Sequence, residues 1–191
     1  FNDKSWPRGG LITKALLNDG YAVMILDAVY HGERSAENDF VGPSLDNPIT
    51  ARNMIIQTTI DYRRAIDYLS TRKEIDTTRI GMLGLSMGGL ITFQMASIDS
   101  RIKTAIAGLT PQLRHPQYQT VEASTFASRV RCRSFLMLMG NTDGWYTIEE
   151  ARKLYSLLPM TQKKFVEYDV GHRLPVEYVE KVTEWLGEYL K

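Results

Sequence analysis

Residues 80–97 read IGMLGLSMGGLITFQMAS, and this stretch constrains the chain more than any other. An apolar run, Ile80 to Leu85, stops at Ser86; Gly88 and Gly89 follow, and then an apolar stretch compatible with a helix. Gly84, Ser86 and Gly88 form G-x-S-x-G. A serine hydroxyl is a poor nucleophile unless it is held clear of the backbone and beside a base. A sharp strand-to-helix turn does the holding, and it leaves room only for small residues two positions either side. A glycine-rich connection with an incidental serine would spell the same five letters. The flanking strand and helix therefore carry the argument, and they predict a strand ending at Leu85 with Ser86 at the turn.

The rest of the chain alternates in the same way. Pro7 to Asn18 reads as a short helix closed by Asn18-Asp19-Gly20, with Gly20 as a left-handed cap. Tyr21 to Leu26 is an apolar run without alternation, which predicts a strand covered on both faces. A polar connection from Asp27 to Asn47 follows. Between Ala51 and Ser70, the positions Ile55, Thr59, Tyr62, Ile66 and Leu69 are spaced 4, 3, 4 and 3, the period of an amphipathic helix. Further strands are predicted at Ile102 to Leu109, Phe135 to Met139 and Phe165 to Val170. Thr147 and Glu150 form a capping box for a helix to Leu158. Val179, Val182, Leu186 and Leu190 stripe a final helix. Residues 110–130, with Pro111 and Pro116, are irregular apart from a short helix near Val121 to Ala127. The sum is an α/β fold of at least five strands, a mostly parallel sheet flanked by helices on both faces. At 191 residues it is one domain, covering 1–191 with a lid-like insertion at about 110–130.

In such a sheet, ligands bind beyond the carboxyl ends of the strands. Three polar residues sit there. Ser86 ends one strand, Asp143 lies four residues after Met139, and His172 lies two after Val170. Acyl transfer needs these three types: a nucleophile, an imidazole base, and a carboxylate that fixes the tautomer and stabilises the imidazolium. The rivals are poorer. His31 and His115 lie in loops, Asp169 shares a strand with His172, Asp99 falls at the wrong end of the sheet, and Glu149 and Glu150 read as first-turn helix charges.

The order serine, aspartate, histidine resembles the α/β-hydrolase superfamily, and the resemblance covers nearly the whole chain. Gly84-Leu85-Ser86-Met87-Gly88-Gly89 is similar to its nucleophile elbow, Asp143 to its acid, and Gly171-His172 with the helix carrying Trp185-Leu186 to its histidine loop. Tyr21 to Asp27 with His31-Gly32 resembles a strand and loop of that superfamily, with Tyr30 before His31. Asp76-Thr77-Thr78-Arg79-Ile80-Gly81 leans toward esterases related to dienelactone hydrolase and the prolyl-oligopeptidase-like group. Dienelactone hydrolase itself uses cysteine where this chain has Ser86. The resemblance implies an oxyanion donor at Met87 N–H and a second donor from an earlier loop. Phe1-Asn2-Asp3-Lys4-Ser5-Trp6 looks like the continuation of that loop. This gives Phe1 the second place and implies a longer natural protein whose first strands precede it.

The expected activity is a serine carboxylesterase for short acyl esters, because residues 110–130 offer few large apolar side chains for a lid. Tyr30, His31, Trp145 and Leu174 adjoin strand ends and are candidates to line the substrate site. A prolyl-oligopeptidase-like peptidase and a non-catalytic binding module are the alternatives. No metal or other cofactor is expected. Lys and Arg number 23 against 22 Asp and Glu, which removes the basic excess that nucleic acid would need. No apolar run approaches the roughly 18 residues of a membrane span. The partner is then a small-molecule ester, with neither nucleic acid nor membrane, and with a homo-oligomer left open. The single cysteine, Cys132, excludes an internal disulfide and fits the cytoplasm.

Overall fold

The computed structural model describes residues 7–35 and 47–190. Helix α1, Pro7–Asn18, ends at Gly20, whose φ of 85° is the left-handed cap. Helix α2, Pro48–Leu69, begins where the Asn47 side chain accepts a hydrogen bond from Thr50 N–H and Pro48 occupies the first turn. Strand β1, Ile80–Leu85, feeds helix α3, Met87–Ile98. Strand β2, Ile102–Gly108, is followed by short helix α4, Ala123–Ala127, and strand β3, Ser134–Gly140. Helix α5, Ile148–Ser156, starts at a complete Thr147–Glu150 capping box. Strand β4, Gln162–Tyr168, and helix α6, Tyr178–Tyr189, close the chain.

The four strands are parallel and lie in the order β1-β2-β3-β4. Alternation along each strand divides the core in two. Ala105 and Ala107 of β2 and Phe135, Met137 and Met139 of β3 face α2, α3, α4 and α5. Ile106, Leu136 and Leu138 face α1 and α6. Both faces of the central strands are thus covered by helices, and every residue of β3 is buried. That explains why FLMLM carries no polar alternation. Phe93 of α3 and Phe135 are both fully buried, with ring centroids 4.7 Å apart. Burial of each contributes about 1.5–3 kcal/mol. Helix α3 is buried from Gly89 to Ser97, and its one amide is satisfied. Gln94 accepts from Thr59 Oγ1 at 2.7 Å and donates to the Val121 carbonyl at 2.9 Å.

One predicted strand does not form. Residues 21–28 join no sheet among the described residues, which leaves four strands there rather than five. The segment packs on α2 instead: the Tyr62 hydroxyl bonds the Leu26 backbone, and Val29 N–H donates to Thr58 Oγ1 at 3.2 Å. Ala22 and Ile25 remain exposed, so the run is not covered on both sides. An unalternating apolar run specifies burial against something, not pairing with another strand. Among the described residues no helix is long and apolar enough to cross a membrane.

Candidate active site

The carboxyl ends of β1, β3 and β4 converge on one edge. Ser86 stands between β1 and α3 with φ 56° and ψ −120°. A positive φ is costly for a residue with a Cβ. Here the surrounding bonds impose it. Ser86 N–H donates to the Gly108 carbonyl at 2.8 Å, and its own carbonyl accepts from Gly89 N–H at 2.8 Å. The turn is so tight that a Cβ on Gly84 would lie 2.0 Å from the Gly88 carbonyl oxygen. A Cβ on Gly88 would meet nothing within 4 Å, so the small-residue requirement expected on both sides of the serine is steric only at Gly84. Met87 opens α3, and a first-turn N–H has no intrahelical acceptor.

Asp143 follows β3, with its side chain fully buried. Its Oδ1 accepts from Trp145 N–H at 2.9 Å, and its Oδ2 lies 2.7 Å from His172 Nδ1. His172 Nε2 lies 2.8 Å from Ser86 Oγ. A carboxylate only accepts, so Nδ1 carries the proton and Nε2 is left to accept from the serine hydroxyl. The two loops that bring acid and imidazole together are laced at close range. Thr142 N–H donates to the Val170 carbonyl at 3.2 Å, and a Cβ on Gly140 would sit 2.4 Å from that same oxygen. Tyr146, absent from the sequence reading, is buried here. Its hydroxyl accepts Gly140 N–H at 3.0 Å, and burial, with the Asp143 carboxylate beside it, raises its pKa. Its only advance signal was its place three residues after Asp143.

The other predicted residues fall in different places. Trp145 is 43% exposed, with its ring centroid 6.1 Å from that of His172. Tyr30 is exposed, with φ 62°, and His31 Nδ1 bonds the Val29 carbonyl at 2.9 Å. None of the hydrogen bonds of the described residues ties either of them to Ser86, Asp143 or His172. Leu174 is 4% exposed and packs in the core beneath α6, because an apolar side chain there gains more from burial than from a place on the wall. Phe1 lies outside the described residues. The rivals stand apart: Asp99 pairs with Arg101 and Arg63, His115 Nδ1 accepts from Gln117 N–H, and Glu150 pairs with Arg114. Among the described residues no group of three or more His, Cys, Asp or Glu side chains could hold a metal ion.

The connection between β2 and β3 carries a titratable group. Glu122 is buried and accepts from Leu113 N–H. Burial pushes its pKa up from 4.5 to about 7, with Leu113 N–H and Arg114 pulling the other way. A carboxyl raised in the folded state destabilises that state once it ionises, so the penalty is absent below the unfolded value and complete above the folded one. Glu122's contribution to stability should therefore fall by up to about 3 kcal/mol as pH rises from about 4.5 to about 7. Denaturant unfolding of the parent and Glu122→Gln at pH 5 and pH 8 checks this: the variant should gain on the parent at the higher pH. An unchanged gap would show that Glu122 does not titrate in this window.

The Dienelactone hydrolase family model matches residues 9–166, a span that includes Ser86 and Asp143 and ends before His172. YtaP of Bacillus subtilis (strain 168) is 34% identical over 98 residues, covering 50% of this chain and 31% of its own. Cutinase 2 of Thermobifida cellulosilytica is 27% identical over 180 residues, covering 91% of this chain and 63% of its own. The chain thus spans less than two thirds of these relatives. A cold-adapted esterase from an Arctic intertidal metagenomic library, solved as a PEG-bound complex, superposes with a TM-score of 0.81 at 23% identity, over 100% of this chain and 79% of that one. That likeness establishes the fold.

Proposed function

The chain belongs to the dienelactone hydrolase family, and from that premise we propose that it is a serine carboxylesterase that cleaves short-acyl esters through an acyl-enzyme. One observation carries the reading: an unbroken line from Ser86 Oγ to His172 Nε2 at 2.8 Å and from His172 Nδ1 to Asp143 at 2.7 Å. Ser86 Oγ attacks the ester carbonyl carbon while His172 Nε2 takes its proton. Asp143 holds the imidazole in the accepting tautomer and stabilises the imidazolium. The oxyanion of the tetrahedral intermediate accepts from Met87 N–H. Its collapse breaks the carbon–oxygen bond, and His172 returns the proton to the departing alcohol. Water then repeats the sequence and frees the acid.

The names of relatives, a cutinase and an esterase, support an ester over an amide. The build of residues 110–130 supports a short acyl group. This lid-like insertion of a single domain turns Tyr118, Val121, Ala123 and Ala127 into the core shared with α2 and α3, and so keeps them from a long chain. A fluorophosphonate should label Ser86, and nitrophenyl acetate should exceed nitrophenyl dodecanoate in kcat/KM by about tenfold or more. An unlabelled Ser86 would sink the esterase in favour of a non-catalytic module. Equal rates on the two esters would remove the short-acyl preference.

A further inference from the structure

We infer that Trp145 is the surface that reads the alcohol half of the ester, and that it favours flat aromatic alcohols over small aliphatic ones; this rests on the esterase reading above. The chemistry sets the two halves of the substrate on different sides of Ser86. The carbonyl oxygen must reach the N–H of Met87. The leaving oxygen must reach His172 Nε2, since that nitrogen returns the proton as the carbon–oxygen bond breaks. The alcohol therefore leaves along the His172 side, and the indole of Trp145 flanks that imidazole, 6.1 Å between centroids and tilted by 53°.

The backbone of Trp145 is pinned from both directions. Its N–H donates to Asp143 Oδ1 at 2.9 Å, and its carbonyl accepts from Gln112 N–H at 3.2 Å. The residue is nevertheless 43% exposed. A large aromatic face held on a pinned loop is preformed, so a ring that stacks on it loses little in ordering the protein. Trp145 touches only the step that still carries the alcohol. Acylation joins Ser86 Oγ to the carbonyl carbon, expels the alkoxide oxygen and moves the Ser86 proton through His172 onto it. The acyl-enzyme that remains has no alcohol, and its hydrolysis does not sense the indole.

The test compares kcat/KM ratios. The ratio of benzyl acetate to ethyl acetate reads the alcohol, and the ratio of ethyl butanoate to ethyl acetate reads the acyl group. In Trp145→Ala the first ratio should fall about fivefold while the second stays put, and Trp145→Phe should keep most of the first. An alcohol ratio that does not move, or an acyl ratio that moves as far, overturns the inference. Should Trp145→Ala fail to fold, inhibition of the unaltered protein decides. Benzyl alcohol should inhibit more strongly than cyclohexylmethanol, and equal inhibition overturns the assignment. Fluorophosphonate labelling of the parent separates the two layers. A labelled Ser86 with an unmoved alcohol ratio sinks Trp145 alone, and an unlabelled Ser86 sinks the esterase and this inference together.

Discussion

Replacing Ser86 with alanine should lower ester turnover by about a millionfold and leave the fold standing. The change removes Oγ alone. The bonds that hold the turn belong to the backbone: Ser86 N–H to the Gly108 carbonyl, and the Ser86 carbonyl to Gly89 N–H. Alanine inherits the same φ of 56° and bears the same strain as serine. What disappears is the partner 2.8 Å from His172 Nε2, and with it the proposed acyl-enzyme route. Residual activity should come from whatever the oxyanion donors and substrate positioning supply without a nucleophile. Nitrophenyl acetate turnover beside far-ultraviolet circular dichroism measures both halves. A variant with intact dichroism and turnover within tenfold of the parent would take Ser86 out of the mechanism.

Asp143→Asn should cost about 10⁴-fold in kcat, although it changes the size of the side chain hardly at all. The Trp145 contact explains why an amide cannot substitute. Trp145 N–H needs an acceptor at Oδ1, so the asparagine carbonyl oxygen takes that position. The amide nitrogen is then turned toward His172, where Oδ2 had stood 2.7 Å from Nδ1. A donor facing Nδ1 drives the imidazole proton to Nε2, and Nε2 can no longer accept from Ser86. The rate of fluorophosphonate labelling isolates this effect from substrate binding. Labelling slowed less than tenfold would mean that another group sets the tautomer. The asparagine chain should otherwise fold as the parent does, because the buried site still finds partners for both ends of the side chain.

Much of this arrangement is legible in the chain. The Thr147–Glu150 capping box, the Gly20 cap and the α2 stripe depend on contacts within one or two turns, and local residue types specify those. The apolar runs of β1 and β3 also announce strands, and every residue of β3 is buried. Tyr21 to Leu26 carries the same signal and joins no sheet, because a strand exists only when a neighbour offers a ladder. Here Tyr21 N–H bonds the Leu16 carbonyl of α1, the Leu26 backbone bonds Tyr62 of α2, and Val29, just past the run, bonds Thr58. Gly88 reads as constrained as Gly84, but only the geometry of the turn tells which one faces a carbonyl oxygen. Leu174 looked like a wall residue from its place after His172, and long-range packing under α6 took it into the core.

By itself, the sequence determined the helices and the four strands that pair, the turn at Ser86, and the placing of Asp143 and His172 just beyond two other strand ends. These follow from periodicity and turn chemistry, which act over a few residues. Only the tertiary structure decided that the three side chains lie 2.7 and 2.8 Å apart, that Tyr146 and the Trp145 backbone surround the carboxylate, and that the indole is left facing His172. Those are relations between loops at the ends of different strands. They are set by the parallel register and by the close crossing at Gly140 and Val170, and neighbours in sequence do not encode them.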